Sequence, residues 1–325
     1  MPTSNGKRAL VTGAGGFIGH HLASYLKEQG FWVRGVDLKY PEYSRVDADE
    51  YAILDLRRPE DALAATEGVD HVYALAADMG GMGFISSNHA TIFHNNALIN
   101  VNTIEAAHRS GVSRYFFSSS ACVYPEHLQG VSSVAALREE DAYPANPQDA
   151  YGWEKLFGER LCEYYSWEHA LDTRVARFHN IYGPYGTYDG GREKVPAAMC
   201  RKVAAAAPGD SIEIWGDGQQ TRSFCYIDDC LEGIYRLMHS DYPQPLNIGT
   251  DRMVSIDELA GIVIALSGKK DLTLHHVEGP QGVRGRNSDN TRLREVLGWE
   301  PQTTLEWGLE RTYRWIEKEL QRQKV

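Results

Sequence analysis

Tyr151-Gly152-Trp153-Glu154-Lys155 sets a phenol and an ammonium four residues apart, on one face of a helix. A cation beside a phenol favours the phenolate and draws its ordinary pKa of about 10 towards neutrality. Such a group can remove a hydroxyl proton while hydride leaves the same carbon. Ser118-Ser119-Ser120 lies upstream at the end of a strand, where Ser120 is placed to hydrogen-bond the oxygen that Tyr151 deprotonates. Alone, the tyrosine and lysine read equally as an ordinary amphipathic pair. The serine and a glycine-rich turn near the N-terminus make them a site.

That turn is Leu10-Val11-Thr12-Gly13-Ala14-Gly15-Gly16-Phe17-Ile18-Gly19, a strand, a tight turn and the start of a helix. Gly13 lets the chain turn, Gly16 lets the backbone approach a pyrophosphate, and Gly19 lets helix and strand pack closely. The helix N-terminus then faces the phosphates. The spacing, G-x-x-G-x-x-G, differs slightly from the commoner dinucleotide fingerprint. The next strand ends Val33-Arg34-Gly35-Val36-Asp37. An acid about 20 residues beyond the glycines suits a ribose 2′-hydroxyl and repels a 2′-phosphate. NAD is therefore expected over NADP, with Arg34 and Lys39 as nearby charges that oppose this. Asp55 and Leu56, after the third strand, are placed at the adenine, although Asp55 reads equally as a solvated loop acid.

Cys122 stands two residues beyond Ser120, at the mouth of the same pocket, because strand C-terminal ends in such a sheet open on the ligand crevice. Its plainer reading is a small buried hydrophobe. A cysteine thiol ordinarily ionises near about pH 8.5 and needs nearby cations to serve as a thiolate base. Gly190-Gly191-Arg192-Glu193-Lys194-Val195-Pro196 puts Lys194 just before a helix, in a stretch able to fold over a ligand. By itself Lys194 is a solvated loop lysine.

These residues need a scaffold. Arg8–Thr12, Trp32–Asp37, His71–Ala76 and Arg114–Ser118 read as strands, with helices over Phe17–Gln29 and around Asn95–Arg109. The alternation implies an α/β fold, a Rossmann-type doubly wound parallel sheet covered on both faces. After about Asn180 the pattern loosens, and Gly, Pro and Trp become frequent in Tyr182–Gly191 and Trp215–Gln220. The expected division is a dinucleotide-binding domain over residues 1–180, which carries the serine, tyrosine and lysine, and a smaller α/β lobe over 181–325. The second is mainly for substrate, with some chain returning to the first domain.

The 325 residues give room for about two domains, and 42% hydrophobic with 24% charged residues is an ordinary globular balance. A formal charge of −11 argues against a nucleic acid or an anionic membrane as partner. A few arginines and helix N-termini can still bind a small anion. No apolar run approaches the about 20 residues of a membrane span, and residues 1–8 are polar, so no signal peptide is expected. Cys122, Cys162, Cys200, Cys225 and Cys230 are odd in number and lack metal-type pairing with histidines, which fits a reduced cytoplasmic setting without a metal site.

Together, Gly13-x-x-Gly16-x-x-Gly19, Ser120, Tyr151-x-x-x-Lys155, Asn180-Ile181-Tyr182-Gly183-Pro184 and Leu297-Gly298-Trp299-x-Pro301 resemble the extended short-chain dehydrogenase/reductases. Three further stretches are Ala76-Ala77-Asp78-Met79-Gly80-Gly81-Met82-Gly83, Arg177-Phe178-His179-Asn180 and Gly282-Val283-Arg284-Gly285-Arg286-Asn287-Ser288-Asp289. With Cys122 and Gly191-Arg192-Glu193-Lys194, they are similar to the GDP-mannose 3,5-epimerases from about Lys7 to the C-terminal helix. The resemblance implies conversion of GDP-mannose to GDP-L-galactose, with GDP-L-gulose as a by-product, through tightly held NAD. It implies oxidation at C4 by Ser120, Tyr151 and Lys155, and an acid/base pair of Cys122 and Lys194. Phe17, Ile18 and Ala76 would join Tyr151 and Lys155 at the cofactor, and Gly80 would touch the sugar. Asn180, Lys202, Arg222 and Arg286 would hold the nucleotide diphosphate, arginine forks suiting phosphate geometry; each of these four, singly, reads equally as a surface charge. The same resemblance implies a homodimer formed through the helices bearing Asn95–Arg109 and Tyr151–Glu168.

Other enzymes of this fold differ at these positions. A 4,6-dehydratase wants an Asp-Glu pair where Ala121-Cys122 stands, and a simple 4-epimerase has no use for Cys122 and Lys194 together. An epimerase/reductase of the fucose-forming kind carries histidine at the position matching Lys194 and uses NADPH, which Asp37 disfavours. A non-catalytic NAD-binding regulator typically lacks the pair that Tyr151 and Lys155 retain.

Overall fold

The computed structural model describes residues 6–323; residues 1–5, most of the polar N-terminal stretch read above, lie outside the described residues. Six parallel strands come from the first half: β1 (Arg8–Thr12), β2 (Trp32–Asp37), β3 (Glu50–Ile53), β4 (His71–Ala74), β5 (Arg114–Ser120) and β6 (Asp172–Phe178). β4 is buried at every residue and β1 at all but its first, as continuous apolar runs require in a sheet covered on both faces. The covering helices are α1 (Phe17–Glu28), α2 (Pro59–Thr66), the single turn α3 (Met82–Ile85), α4 (His89–Arg109) and α5 (Ala150–His169). The second half adds β7 (Ile181–Tyr182), α6 (Val195–Ala205), β8 (Ser211–Trp215), β9 (Thr221–Ser223), β10 (Cys225–Tyr226) and α7 (Ile227–His239). It continues through β11 (Leu246–Ile248), β12 (Met253–Ser255), α8 (Ile256–Ser267), β13 (Thr273–Val277), β14 (Gly285–Arg286), α9 (Thr291–Leu297) and α10 (Leu305–Arg322).

The seven-stranded sheet runs β11-β6-β5-β4-β1-β2-β3, so its order reverses between β1 and β4 and leaves a crevice at their C-terminal ends. β11 pairs parallel with β6, so chain beyond residue 181 completes the first sheet. Smaller sheets, β12-β9-β14, β10-β7 and β13-β8, form in the chain beyond residue 180. One apolar cluster joins Val11 and Leu22 to Met199, Ile214 and Leu309, so both halves share a core. A second cluster, with Leu10, Val72, Ile104 and Phe117, fills the opposite face.

Element ends differ from the sequence pattern where distant pairing decides them. β5 runs past Ser118 because Ser120 pairs with Phe178 of β6, which carries the serine to the strand's last position. β4 stops at Ala74, short of Ala76, and α4 begins at His89, six residues before Asn95, with Ile92 buried in an apolar cluster that includes Tyr151. α1 ends at Glu28, and Gln29 is its C-cap. No helix among the described residues is long and apolar enough to cross a membrane.

Candidate active site

At the start of the crevice the turn between β1 and α1 admits only glycine at two points. Gly13 has a φ of +70°, and a Cβ there would lie 2.8 Å from the Ala76 nitrogen; a Cβ on Gly19 would lie 2.0 Å from the Gly13 oxygen. Ala76 itself is fixed by its N–H donating to Thr12 Oγ1 at 3.1 Å. Helix α1 has Gly16 as its N-cap residue, with no side-chain cap and no acid in its first turn, where Phe17 and Ile18 lie, so its N–H groups are left for an anion. Asp37 ends β2, with Oδ2 accepting from Gly15 N at 2.9 Å and Oδ1 from Leu38 N at 2.6 Å. Burial pushes its carboxyl up, and the backbone donors oppose this. Arg34 is engaged elsewhere: it donates to the Ala65 and Glu67 carbonyls at 3.0 and 2.8 Å and pairs with Glu50 at 3.1 Å. The residues present fit a dinucleotide with a free 2′-hydroxyl. Beside Asp37, β3 ends in Ile53 and leads to Asp55 and buried Leu56. Arg57 donates to both Asp55 oxygens, at 2.8 and 2.7 Å, and holds that carboxyl below its usual range.

Tyr151 is placed by a cap and a close contact. Asp149 caps α5 by accepting from Gly152 N at 2.8 Å, and a Cβ on Gly152 would lie 2.2 Å from the Cys122 oxygen. The helix is thereby pressed onto the turn that follows β5. The Tyr151 phenol hydrogen-bonds Ser120. Burial pushes it well above its usual range; Cys122 and Glu154 add to the rise and the Ser120 bond opposes it. The lowering expected from Lys155 does not outweigh this burial. The Lys155 ammonium stands 5.5 Å from the Tyr151 ring centroid and 3.8 Å from Glu154 Oε1, so a buried carboxylate offsets the cation. Glu154 is held by amide groups of Asn96 at 3.1 Å and Asn100 at 2.5 Å.

Ser120 Oγ accepts from Cys122 N at 3.1 Å and caps a single 3₁₀ turn over Ala121–Val123, which swings the half-buried thiol out of the strand. Arg286 Nη1 donates to the Cys122 sulfur at 3.2 Å, while its Nε donates to Gln129 at 2.6 Å. A cation on the sulfur is the surrounding a thiolate requires. Arg286 and Arg222 are register partners on β14 and β9. Burial, then the charge of Arg286, pushes Arg222 down to about 9, and its guanidinium rests on the Gln281 and Val283 carbonyls at 3.2 and 2.7 Å. Lys194 is the N-cap residue of α6, and burial lowers its ammonium while Cys122 opposes the fall. The Cys122 thiol thus has Arg286 on its sulfur and lies within electrostatic reach of Tyr151, Lys194 and Arg222.

Two further expected residues flank it. Asn180, between β6 and β7, has a φ of +47° and donates to the Ser223 carbonyl at 2.8 Å, next to Arg222. Gly80 lies against Phe84, whose Cβ would be 3.0 Å from an added methyl. Lys202 is drawn elsewhere: its ammonium donates to the Glu213 carbonyl at 2.8 Å, with the Glu213 carboxylate at 3.4 Å. The sequence reading missed the supports. Arg177 and Glu159 form a buried pair at 2.8 and 2.7 Å, and Ser119 donates to the same carboxylate at 2.5 Å, fixing the end of β5. The signal for the Glu154 clamp was present: Asn96 and Asn100, four apart, put two amides on one buried helix face.

A model of the NAD dependent epimerase/dehydratase family matches residues 9–249. The GDP-mannose 3,5-epimerase of Arabidopsis thaliana is 52% identical over 324 residues, covering 99% of this chain and 85% of that one. The GDP-L-fucose synthase of Escherichia coli K12 is 29% identical over 322 residues, 95% of this chain and 96% of that one. Among solved structures, the UDP-glucose 4-epimerase of Thermotoga maritima with UDP-glucose matches at a TM-score of 0.86 and 27% identity, over 96% of this chain and 99% of that one. Sheet order, glycine turn and family match agree, and the chain belongs to the NAD dependent epimerase/dehydratase family.

Proposed function

We propose that the protein epimerises GDP-mannose at C3 and C5 to GDP-L-galactose and GDP-L-gulose, with NAD as cofactor. The observation that carries this is the Arg286 guanidinium 3.2 Å from the Cys122 sulfur, which also lies within electrostatic reach of Tyr151 and Lys194. The 52% identity to a GDP-mannose 3,5-epimerase supports the substrate. Residues 1–180 serve as the NAD-binding domain and 181–325 mainly as the substrate lobe.

The Gly13–Gly19 turn and Asp37 would hold NAD⁺, which when bound would supply reversible hydride acceptance at C4. Tyr151, bonded to Ser120, takes the C4 hydroxyl proton as that carbon becomes a ketone, and gives it back when the hydroxyl re-forms. The 4-keto group acidifies the protons on C3 and C5. Cys122, as thiolate, removes one such proton from one face. Lys194, as ammonium, delivers a proton to the other face, and the centre is inverted. Proton return between the two restores both, and because the hydride goes back to C4 the cycle has no net redox change. Arg222, Arg286 and Asn180 hold the diphosphate in this reading, and Arg286 also steadies the thiolate.

The face of α4 and α5 that carries Leu98, Val101, Trp153, Phe157, Tyr164 and Trp167 is exposed, which supports a homodimer through these helices. Five free thiols support a reducing, cytoplasmic setting. The test is incubation of the purified protein with GDP-mannose in D₂O, followed by NMR of the sugar. Deuterium at C3 and C5 with inverted configuration is expected without added reductant; sugar unlabelled at both carbons contradicts the reading.

A further inference from the structure

Lys194 belongs to a strap, residues 189–194, that is tied on two sides. Behind it, Arg201 of α6 stands 3.5 Å from Asp189 and 3.7 Å from Glu193. In front, Arg192 reaches over to the segment before α4. Its Nη1 donates to Asp78 Oδ1 at 3.1 Å, and its guanidinium lies 3.8 Å over the Phe84 ring. The Arg192 carbonyl accepts from Gly81 N at 3.1 Å. A Cβ on Gly81 would lie 2.3 Å from the Glu193 oxygen, so backbone meets backbone here. The other Asp78 oxygen is held by Asn95 at 3.0 Å, and the Asp78 N–H and carbonyl bond Asn96 at 2.6 and 3.1 Å. Asn96 is the same residue that holds Glu154 beside Lys155.

The surface onto which Arg192 closes is therefore the floor of the reaction pocket. Phe84 and Met79 pack with Cys122 around Tyr151, Ile85 and Ile92. Arg192 is itself exposed, and an exposed ion pair contributes little stability. What it does contribute is registration of the strap two residues before Lys194. Gly190 and Gly191, at φ of +90° and +85°, have open space around both and bond only within the strap, to Asp189 and Glu193 at 2.9 and 2.6 Å, so nothing at these two residues ties it to the rest of the molecule.

We infer that Arg192 is a positioning residue that seats the Lys194 ammonium opposite the Cys122 thiol, by clasping Asp78 and Phe84. The inference rests on the acid/base roles of Cys122 and Lys194 proposed above. It separates proton removal from proton delivery: with the clasp gone, the thiolate still works, but the ammonium is displaced and the carbanion is reprotonated from the face it left.

The test uses the full chain with its cofactor, GDP-mannose in D₂O, and wild type beside Arg192→Gln, Arg192→Lys, Gly81→Ala and Lys194→Met. Three quantities are read: 4-keto sugar trapped with borodeuteride, deuterium at C3 and C5, and the share of deuterated sugar that is inverted. Arg192→Gln should match wild type in trapped ketone and still label the sugar. Its inverted share should fall about 10–100-fold, the scale of a displacement of about 1 Å at a reacting group. Gly81→Ala, acting from the opposite segment, should give the same split, and Arg192→Lys should recover part of the inversion. An unchanged inverted share in Arg192→Gln overturns the inference, as does an equal loss of ketone, label and inversion. Failure of wild type to label the sugar, or normal inversion in Lys194→Met, instead overturns the functional reading beneath it.

Discussion

The two ends of the pocket are built in opposite ways. The cofactor end comes from one short stretch, β1 through β2, and its shape is backbone: glycines where a Cβ would collide, an uncapped helix start, and one carboxylate at a strand end. The substrate end collects Cys122, Lys194, Arg222 and Arg286 from separate segments, with the arginine on the sulfur 164 residues away in sequence. Backbone at the first end makes a ligand site common to a family. Side chains at the second end, in the function proposed above, select the reaction. The difference predicts that substitutions at the two ends will separate binding of the cofactor from use of it.

The largest effect is expected where the ends meet. Tyr151→Phe removes only an oxygen, yet turnover should fall about 10²–10⁴-fold, with the NAD content of the purified protein unchanged. Cofactor released on denaturation, together with initial rates, checks this; a variant that turns over like wild type would break the division between holding and using NAD. Asp37→Ala should act the other way. Losing a charge-assisted bond to the ribose should weaken NAD about 10–100-fold, as read by titration calorimetry, while turnover at saturating NAD changes little. Equal NAD affinity in the variant would show that the carboxylate does not face the ribose.

The smallest effect lies in acid stability, which probes both ends at once. Burial lowers His20, beside the glycine turn, and His71 to about 4, and His179, next to Asn180, to about 3, from 6.5. In the unfolded chain these imidazoles take up protons below about pH 6.5, whereas in the folded chain they stay neutral. Their contribution to stability is thus complete above about pH 6.5 and is lost as pH falls towards about 4. Urea midpoints should drop through that window, and His179→Gln should reduce the slope. A flat profile from pH 6.5 to 4 would contradict it.

What could be read from sequence follows the same division. The glycines, Asp37 and the tyrosine–lysine pair are local patterns, and the structure puts them in the crevice at spacings that the chain itself imposes. Cys122 was legible because strand ends in this fold open on the ligand, and the 3₁₀ turn after Ser120 delivers it there. The surroundings were not legible. Burial of the phenol, which outweighs the expected effect of Lys155, is a tertiary property, and Glu154, one residue from Lys155 in sequence, adds to the rise because it too is buried between α4 and α5. The Arg286 bond to the thiol depends on β14 lying beside β9, a pairing across separate elements that no local pattern encodes. Lys202 shows the converse: a charge at a suitable place in the chain is held by Glu213 through a strand its own helix packs against.

The central claim is that thiol and ammonium exchange protons only after the phenol has opened C4 to oxidation. Deuterium uptake by Cys122→Ala tests it most directly. With GDP-mannose in D₂O, this variant should still yield trapped 4-keto sugar, while label at C3 and C5 falls about 10²–10⁴-fold, the cost of losing a positioned base. Wild-type labelling at both carbons in Cys122→Ala would contradict the account and reduce the thiol to packing.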